Sequence, residues 1–357
     1  MNQQEIRDNI DKIDVQILDL IEERINCAKE MKRFKLKAGL NTYVPSREAF
    51  IFQRLEKINN GRLADKSLKA IYREIISASI SLEEELMIGF LGPKATFTHQ
   101  AALKAFGSSV QYKSIPSIPD VFTAVGLDEV NYGVIPIENS TEGAVMHSMD
   151  MLVESDLTIL GQVYMEIEHC LLTQADMHDI KTVASKDQAI GQCRDWLHRY
   201  LPKVEFLHTN STSAAVELAA QDNTVAAIAS SMTSEAYGVP VLQRAIQDKK
   251  NNITRFLIIG KTHSPKTEGI VYKTSIVISI DDRPGALYDI LIPFNEENIN
   301  LTRIESRPNK QKAWNYYFFI DFIGHWDDEN VSRAIEKLKL SLPSIKHLGS
   351  YPDVPRK

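Results

Sequence analysis

The sequence predicts a multidomain chain with an all-α N-terminal part, a bilobed α/β middle and a small α+β C-terminal domain. Three observations support this prediction. Residues 1–86 carry apolar side chains at three- and four-residue steps, residues 87–261 alternate short β-rich runs with helical segments, and residues 273–351 follow the ferredoxin-like order βαββαβ. A length of 357 residues allows two or three domains.

The first zone is predicted to form three helices. The first helix exceeds thirty residues, and its apolar stripe consists of Ile6, Ile10, Ile13, Ile17, Ile21, Ala28 and Met31. Such a length is typical of a bundle or an intertwined oligomer. The second helix is expected to begin near Pro45 with Ser46 as its N-cap and to end at Asn59–Gly61, and the third is expected to begin at Asp65.

Composition narrows the class of protein. A net charge of −6 argues against nucleic acid or an anionic membrane as the main partner. The cysteines at positions 27, 170 and 193 form no CxxC pair, and no apolar run approaches the ~18 residues of a membrane span. The first residues are too polar for a signal peptide, so a cytoplasmic location is expected. With no HExxH, GxxxxGK or GxGxxG pattern, we expect no metal and no cofactor.

Two cations lie in phase with the apolar stripe of the first helix. Arg24 follows Ile21 by three residues, and Lys35 lies eleven residues further on, close to three full turns. A cation on an inward face is costly unless it is paired. Internal ion pairs with glutamates of the bundle would explain the pattern, and so would an anionic ligand held between helices. Spacing alone leaves both open.

The run IRDNIDKIDVQILDLIEERINCAKEMKRFKLK, followed by YVPSREA, resembles the AroQ-type chorismate mutases, three-helix chains that form an intertwined dimer. The resemblance implies substrate contacts by Arg7, Arg24, Lys35, Val44, Arg47, Glu48, Ser79 and Glu83, with Arg7 reaching into the partner chain's site. Rearranging chorismate to prephenate requires a dicarboxylate held compactly and stabilisation of charge on the ether oxygen. The resemblance places Lys35 and Glu83 at that oxygen, in the catalytic role, and Glu48 at the substrate hydroxyl.

Two positions depart from the commonest mutase pattern. Val44 stands where some members have aspartate, and it serves equally well if the contact is made by its backbone N–H. Glu83 stands where many members have glutamine. An ionised carboxylate would repel the developing charge, so Glu83 is expected to act in its protonated form. Mutase turnover should then fall as the pH rises, and Glu83→Gln should flatten that profile.

Five polar clusters lie near predicted strand ends between Met87 and Lys261, where ligands of α/β folds usually bind. They contain Thr96, then Glu138–Thr141, then Gln188 and Gln192, then Ser211–Ser213, and finally Thr254 in NITRF. Taken one at a time, such residues are more often turn and cap residues.

Taken in order, the runs GPKATFT, GVIPIENS, QCR, STSAA and NITRFLIIG resemble a prephenate dehydratase domain. The resemblance implies two lobes similar to type 2 periplasmic binding proteins, and the conversion of prephenate to phenylpyruvate. It assigns catalysis to Thr254, Asn139 and Gln192, with Thr254 donating to the departing hydroxyl. Implied substrate contacts are Thr96, Glu138, Asn139, Ser140, Ser211, Thr212, Thr254, Arg255 and Phe256.

Individual roles follow from this resemblance. Ser211 and Thr212 are expected to bind a carboxylate at a helix N-terminus. Arg255 is expected to supply positive charge or to hold the cleft together, and Phe256 to form a wall of the site. Ala95 replaces the glycine usual in GPxGTF. If that position needs a positive φ, alanine costs about 1 kcal/mol.

The last zone carries two further motifs after a predicted linker, HSPKTEG. DDRPGALYDI and IESRP resemble an ACT regulatory domain. The resemblance implies that phenylalanine binds at the interface of paired ACT domains. The implied contacts are Gly285, Ala286, Leu287, Asn298, Leu301, Glu305 and Ser306.

Together the motifs resemble the bifunctional chorismate mutase/prephenate dehydratases, enzymes of phenylalanine biosynthesis. The expected boundaries are 1–86 for the mutase, 87–262 for the dehydratase and 273–351 for the ACT domain. We expect chorismate, prephenate and phenylalanine as ligands, and a homodimer or higher homo-oligomer. Two alternatives stay open: an amino-acid-sensing binding protein whose catalytic sites have decayed, and a dehydratase that prefers arogenate.

Overall fold

The computed structural model describes residues 2–37, 43–280, 283–308, 316–342 and 344–354, with the side chains of residues 35–37 and 341 outside that description. The chain forms two compact units. The first comprises Met1–Met87, Phe106–Gln111 and Ser264–Ile270, and the second contains the rest of the chain.

The first unit is helical, as predicted. Its helices are α1 (Gln3–Lys37), α2 (Pro45–Asn59) and α3 (Asp65–Glu83). The prediction that Ser46 caps α2 is wrong: the N-cap is Val44, whose carbonyl accepts the N–H groups of Arg47 and Glu48. The helix ends at Asn59, because the left-handed φ of 45° at its C-cap, Asn60, stops further α-helical hydrogen bonding.

Much of the apolar stripe of α1 is exposed in this chain. Ile6, Ile10, Ile13 and Ile17 are each about half exposed. An apolar stripe of this length on a helix predicts a further packing partner, because soluble chains seldom leave such a surface in water.

The segment predicted as a linker packs against α2 instead of lying free. Ser46 is fully buried, and its hydroxyl donates to the carbonyl of Pro265 at 3.1 Å. Thr267 in turn donates to the Ser46 hydroxyl at 2.9 Å. A buried hydroxyl needs such partners, and here the segment 264–270 supplies them.

The α/β part of the second unit has two lobes. The elements of the first lobe are β1 (Met87–Leu91), α4 (Phe97–Phe106), β2 (Gln111–Ile115), α5 (Ile118–Gly126), β3 (Tyr132–Asn139), β4 (Gly143–Ala144), α6 (Met146–Glu154) and β5 (Thr158–Glu166). Those of the second lobe are β6 (Cys170–Leu172), β7 (Thr182–Ser185), α7 (Asp187–Gln192), α8 (Arg194–Tyr200), β8 (Glu205–His208), α9 (Thr212–Gln221), β9 (Val225–Ala229), α10 (Ser231–Tyr237) and β10 (Val241–Gln243). The chain then returns to the first lobe as β11 (Ile253–Gly260).

Each lobe is built on its own sheet. The strand order is β2-β1-β3-β11-β5 in the first lobe, with β4 on β3, and β10-β6-β9-β7-β8 in the second. Because β11 returns to the centre of the first sheet, the chain crosses between lobes twice, through residues 167–169 and 244–252. We call these the two crossover segments.

The C-terminal domain has the predicted βαββαβ order. Its elements are β12 (Tyr272–Ile280), α11 (Ala286–Glu296), β13 (Leu301–Pro308), β14 (Tyr316–Ile323), α12 (Glu329–Ser341) and β15 (Ser344–Pro352), with strand order β13-β14-β12-β15. One face of the sheet packs on both helices around Ile276, Phe294 and Ile335. The other face approaches β5 so closely that a Cβ on Gly349 would lie 2.1 Å from the carbonyl oxygen of Ile159.

Among the helices described, none combines the length and the apolar character that crossing a membrane requires.

Candidate active sites

The dehydratase-like motifs meet where β3 and β11 run antiparallel. In this register Thr254 lies opposite Asn139, and Arg255 lies opposite Glu138. Neighbouring residues of a strand point to opposite faces of the sheet. The Asn139 and Thr254 side chains therefore share one face, and the Glu138 and Arg255 side chains share the other.

Asn139 and Thr254 are directly hydrogen-bonded. The Asn139 Nδ2 group donates to Thr254 Oγ1 and to Asn252 Oδ1, both at 2.7 Å. The orientation of this amide is determined by its other end, because Asn139 Oδ1 accepts from the N–H and the hydroxyl of Thr141 and from the N–H of Glu142. Since Thr254 Oγ1 accepts from Asn139, its own proton is directed away from that amide.

Gln192 brings the second lobe into the same cluster. Its Oε1 accepts from Asn252 Nδ2 at 3.1 Å, and its Nε2 donates to Glu142 Oε1 at 3.1 Å. Asn252 is 3% exposed and Thr254 is 8% exposed, so these two residues lie largely out of water, while Asn139 and Gln192 are half-buried. The predicted residues Asn139, Gln192 and Thr254 are thus brought together between the lobes.

The opposite face of β11 carries a buried ion pair with the C-terminal domain. Arg255 is 3% exposed, and its NH1 group lies 2.6 Å from Asp321 Oδ2 and 3.3 Å from Glu138 Oε1. Its NH2 group donates to Tyr351 Oη at 2.7 Å. Burial alone would raise the pKa of Asp321, but Arg255 and the Ser275 hydroxyl outweigh burial and hold that pKa below its usual value.

Two expected substrate contacts therefore point elsewhere. Arg255 and Glu138 were predicted to contact the substrate, with Arg255 supplying positive charge or holding the cleft together, yet both side chains face the C-terminal domain, where Glu138 also pairs with Arg303 at 2.8 Å. The physical reason is strand alternation, since residues next to Thr254 and Asn139 must face away from them. Phe256, two residues after Thr254, returns to the Thr254 face and is 2% exposed.

Other residues predicted to contact the substrate form hydrogen bonds with the backbone of this chain or begin a helix. Thr96 Oγ1 donates to the carbonyl of Pro93 at 3.0 Å, and Ser140 Oγ accepts the N–H of Ile253 at 2.9 Å. Ser211 is the N-cap of α9 and accepts the N–H of Ala214, and Thr212 is the first residue of that helix. These are the turn and cap roles that such residues usually take.

Ala95 has the positive φ that its glycine-like position suggested. Its φ is 63°, and its side chain is 1% exposed. The loop is clamped by the second lobe, because Ser213 donates to the carbonyl of Lys94 and Ser230 donates to the carbonyl of Ala95. These contacts hold a backbone conformation that alanine disfavours.

In the helical unit, Arg24 is the centre of the polar cluster. Its NH1 group donates to Ser79 Oγ at 2.6 Å. Burial lowers the pKa of Arg24, partly offset by Tyr72, Glu83 and Glu48, so these groups lie within electrostatic reach. Arg47 contributes a further positive charge nearby.

The remaining predicted mutase residues lie at different distances from Arg24, and the side chain of one of them is not described. Glu48 is 8% exposed and pairs with Arg73 at 2.7 Å. Arg7 is exposed on α1, seventeen residues before Arg24, which corresponds to about 26 Å along a helix. Arg7 therefore lies too far along α1 to reach the Arg24 cluster of its own chain. Lys35 lies in α1, but its side chain is outside the described part of the chain.

The C-terminal domain has a cavity of about 250 Å³ at the start of α11. It is lined by Ile280, Arg283, Gly285, Ala286, Leu287, Tyr288, Tyr316 and Phe318. Gly285 has a φ of 80°, which a residue with a side chain would adopt only with strain. Asp281 and Asp282 of the motif lie outside the described residues. Asn298, Leu301 and Glu305 are not among the residues lining this cavity.

The ESRP motif lies on β13 and presents alternate residues to two faces. Ser306 lies opposite Phe318, a cavity residue, in the β13–β14 register. Arg307 points to the other face, where its Nε donates to Asp150 Oδ1 and its NH2 group donates to Asp150 Oδ2 on α6, both at 2.7 Å. The strand thus places one motif residue beside the cavity and the next against the α/β lobes.

Some residues of the central cluster were not anticipated from sequence. Asn252 had a usable signal, because it stands two residues before Thr254 and strand alternation puts both on one face. Glu142 lies three residues after Asn139, just beyond the predicted cluster Glu138–Thr141. His169 had no local signal, since only the second crossover segment and α7 bring its partners to it.

Comparison with known proteins matches all three parts of the chain. A chorismate mutase type II model matches residues 6–84, a prephenate dehydratase model matches 88–264, and an ACT domain model matches 274–340. A bifunctional chorismate mutase/prephenate dehydratase of Aquifex aeolicus is 44% identical over 353 residues, covering 98% of this chain and 97% of the relative. The chain belongs to the bifunctional chorismate mutase/prephenate dehydratase family.

Other relatives agree with this assignment. The Escherichia coli relative of the same name is 30% identical over 369 residues, covering 97% of this chain and 95% of its own length. A prephenate dehydratase of Arthrobacter aurescens in complex with L-Phe superposes with a TM-score of 0.70 at 31% identity, over 76% of this chain and 92% of that one. The Staphylococcus aureus dehydratase gives 0.66 at 29% identity, over 74% and 100%. The predicted multidomain fold is confirmed.

Proposed function

We propose that the chain rearranges chorismate to prephenate in its helical unit and converts prephenate to phenylpyruvate, carbon dioxide and water between its α/β lobes. Phenylalanine, the end product, inhibits the enzyme from the ACT domain. The names of the full-length relatives support both activities, and the L-Phe complex of the Arthrobacter dehydratase supports the regulation. The observation that carries the proposal is the partly buried hydrogen bond from Asn139 to Thr254.

The dehydratase step needs a proton for the leaving hydroxyl. As the carbon–oxygen bond breaks, Thr254 donates its hydroxyl proton so that the oxygen departs as water, and Thr254 then regains a proton from solvent. The carboxylate leaves as carbon dioxide, and the electrons of the carbon–carboxylate bond complete the aromatic ring. Threonine is a weak acid, so its contribution is mainly positional. Asn139 assists because it donates to Thr254 Oγ1 and leaves the Thr254 proton pointing toward substrate. Ser211 and Thr212, at the start of the ten-residue helix α9, bind a substrate carboxylate.

The mutase step is performed by positioning. Arg24, held by Ser79, and Arg47 grip the two carboxylates of chorismate, because guanidinium groups match carboxylates in two-point contacts. Glu48 accepts from the substrate hydroxyl, while Lys35 and protonated Glu83 face the ether oxygen. Val44 contributes through its backbone at the start of α2.

The helical unit functions as a homodimer. The exposed apolar stripe of α1 provides the contact surface. Arg7, about 26 Å along α1 from Arg24, completes the site of the partner chain. A bond from Arg7 to chorismate across the dimer explains why an exposed arginine belongs to the mutase motif.

Regulation uses the cavity at Gly285–Leu287. Phenylalanine binds there between paired ACT domains, with the nearby exposed side chains of Leu287 and Tyr288 facing the second copy. Asn298, Leu301, Glu305 and Ser306, which do not line the cavity of their own chain, complete the pocket of the other copy across that interface. The signal reaches the lobes through β13, whose Arg307 is bound to Asp150.

The functional boundaries are 1–86, 87–262 and 273–351, and the location is cytoplasmic. Prephenate rather than arogenate is the substrate, because the same chain makes prephenate.

The test is a time course with purified chain and chorismate, followed for chorismate loss and phenylpyruvate formation, with and without phenylalanine. We expect phenylpyruvate to form and phenylalanine to suppress it. Prephenate that accumulates unconverted, together with turnover of added arogenate, would favour the arogenate dehydratase. No turnover of chorismate or of added prephenate would favour a decayed sensor.

A further inference from the structure

His169 is held at the junction of the two crossover segments. The N–H of Ile167 donates to the carbonyl of Asn252 at 2.8 Å, and the N–H of Ile246 donates to the carbonyl of His169 at 2.9 Å. The backbone N–H of His169 donates to Gln247 Oε1 at 3.0 Å. The crossover segments are therefore joined to each other where the lobes meet, and His169 has little freedom to move.

The side chain of His169 binds Gln192 of the active-site cluster. Its Nε2 lies 2.8 Å from Gln192 Oε1. That oxygen can only accept, because the Gln192 amide nitrogen donates to the carboxylate of Glu142. The proton of the imidazole must therefore sit on Nε2, which determines the tautomer.

The other nitrogen of His169 is buried without a hydrogen-bond partner among the described residues. The residue is 3% exposed, and its ring forms a T-shaped contact with that of Phe97 at 5.6 Å between centroids. Burial lowers the pKa of His169, partly opposed by its bond to Gln192. A second proton would lie on Nδ1 in apolar surroundings with nothing to accept it, so the imidazole is neutral at pH 7.

We propose that His169 is a positioning residue of the dehydratase site, acting through the amide chain Gln192–Asn252–Asn139 on the hydroxyl of Thr254. The inference rests on the proposed dehydratase function. Each link determines the next. His169 and Asn252 Nδ2 share Gln192 Oε1, which turns Asn252 Oδ1 toward Asn139 Nδ2. Asn139 Nδ2 then donates to Thr254, so the Thr254 proton points to substrate.

Rotation of the Gln192 amide would reverse the donor and acceptor directions along this chain of amides. Without the donor of His169, Gln192 Oε1 keeps a single partner, and the bond from Gln192 Nε2 to the exposed Glu142 carboxylate is then what opposes a turn of the amide nitrogen toward Asn252. Asn252 would then present its own oxygen to Gln192 and its nitrogen to Asn139. The Asn139 nitrogen would lose an acceptor there, and its bond to Thr254 would be disturbed. The expected consequence is slower chemistry with substrate binding largely intact.

The experiment compares two amide replacements that differ in reach. His169→Gln places an amide N–H near the position of Nε2, whereas His169→Asn ends near Nδ1 and cannot reach Gln192. Dehydratase kcat and KM are measured with prephenate, and mutase turnover and the thermal midpoint are measured on the same preparations. We expect His169→Asn to lose roughly 10- to 100-fold in kcat with KM nearly unchanged, and His169→Gln to recover most of that loss.

Each outcome decides the matter. Equal loss in both variants, or a wild-type kcat in His169→Asn, would overturn the positioning role. A change confined to the thermal midpoint or to KM would make His169 a structural residue only. If the wild-type chain itself does not turn over prephenate, the proposed dehydratase function fails instead.

Discussion

The two candidate active sites of this chain are built on opposite physical principles. The mutase site gathers charges, with Arg24 on α1, whose long apolar stripe is exposed, and Arg47 and Glu48 on α2. The dehydratase site is mostly uncharged, and its amides and hydroxyls satisfy one another within a single chain. A dianionic substrate that must be compacted calls for cations. A leaving hydroxyl that needs one proton requires a donor whose hydrogen is oriented toward it.

Two adjacent residues of β11 also differ in the part of the molecule that they face. Thr254 faces the site between the lobes, while Arg255 faces the ACT domain. One strand therefore carries the proposed proton donor on one face and the main buried ion pair of the regulatory interface on the other. A shift of this strand caused by the ACT domain would displace Thr254 directly.

The largest predicted effect concerns the orientation-based site. Thr254→Ala removes the proton donor, so dehydratase kcat should fall by about 10² to 10⁴. Mutase turnover, measured on the same preparation with chorismate, should stay at the wild-type level. Thr254→Ser is the matched control, since it keeps the hydroxyl and should retain most activity. Parallel loss of both activities in Thr254→Ala would contradict separate sites.

The next effect concerns the ion pair behind that site. Arg255→Met leaves the buried carboxylate of Asp321 without its main partner, and removing one partner of such a pair costs about 3–5 kcal/mol. The free energy of unfolding is measured in urea. The exposed pair of Arg283 with Asp289 provides the control, because Arg283→Met should cost under about 1 kcal/mol. Similar costs for the two variants would refute the structural role of Arg255.

The same ion pair predicts an acid dependence. Because the pKa of Asp321 is lowered in the folded state, its stabilising contribution is present above the pKa of an unfolded aspartate, about 4. It should be lost as the pH falls below that value. The wild-type unfolding free energy should therefore drop below about pH 4 more steeply than that of Arg255→Met.

A histidine stack at the same interface predicts a milder pH effect. The ring of His347 lies between His263 at 4.7 Å and Trp326 at 4.1 Å. Burial and the neighbouring histidines lower the pKa of His347 to about 3. The unfolded chain then binds a proton that the folded chain does not, so stability should fall as the pH drops from 6.5 toward 3. The limiting slope is about 1.4 kcal/mol per pH unit.

The check is a series of thermal midpoints between pH 7 and pH 5. His347→Phe keeps an aromatic ring in the stack but cannot be protonated, so its midpoint should change less over this range. If its pH dependence equals that of the wild type, other groups are responsible for the loss.

The smallest effect concerns the strained loop. Ala95→Gly relieves a φ of 63° and should stabilise the chain by up to about 1 kcal/mol, raising the thermal midpoint by a few degrees. Ala102→Gly, inside α4, is the control with the opposite sign, because glycine weakens a helix interior. A lower midpoint for Ala95→Gly would mean that the lost methyl contacts outweigh the strain.

The sequence predicted much of this architecture and part of the site. The periodicity of α1 and the βαββαβ order were sufficient for the elements, because both patterns are local. The order of the dehydratase-like motifs was sufficient to group Asn139, Gln192 and Thr254. The directions of Arg255 and Glu138 were missed, although strand alternation already separates them from Thr254 and Asn139.

Other features depend on contacts distant in sequence. His169 reaches Gln192 only because β11 returns to the first lobe and brings the two crossover segments together. Ser46 looked like a helix cap, yet its hydroxyl is used by Pro265 and Thr267, more than two hundred residues later. A pattern of neighbouring residues in the sequence cannot predict partners that lie so far along the chain.

The proposed contrast is that the mutase site takes Arg7 from a second chain, whereas the dehydratase site is complete within one chain. Co-expression of Arg7→Ala and Arg24→Ala chains tests it most directly, with both activities measured on the mixture and on each variant alone. Each variant alone should lack mutase turnover. Random pairing puts half of the dimers in mixed form, each with one intact mutase site, so about one quarter of wild-type mutase activity should return. Dehydratase activity should stay at the wild-type level throughout. A mixture without mutase activity would contradict the shared site.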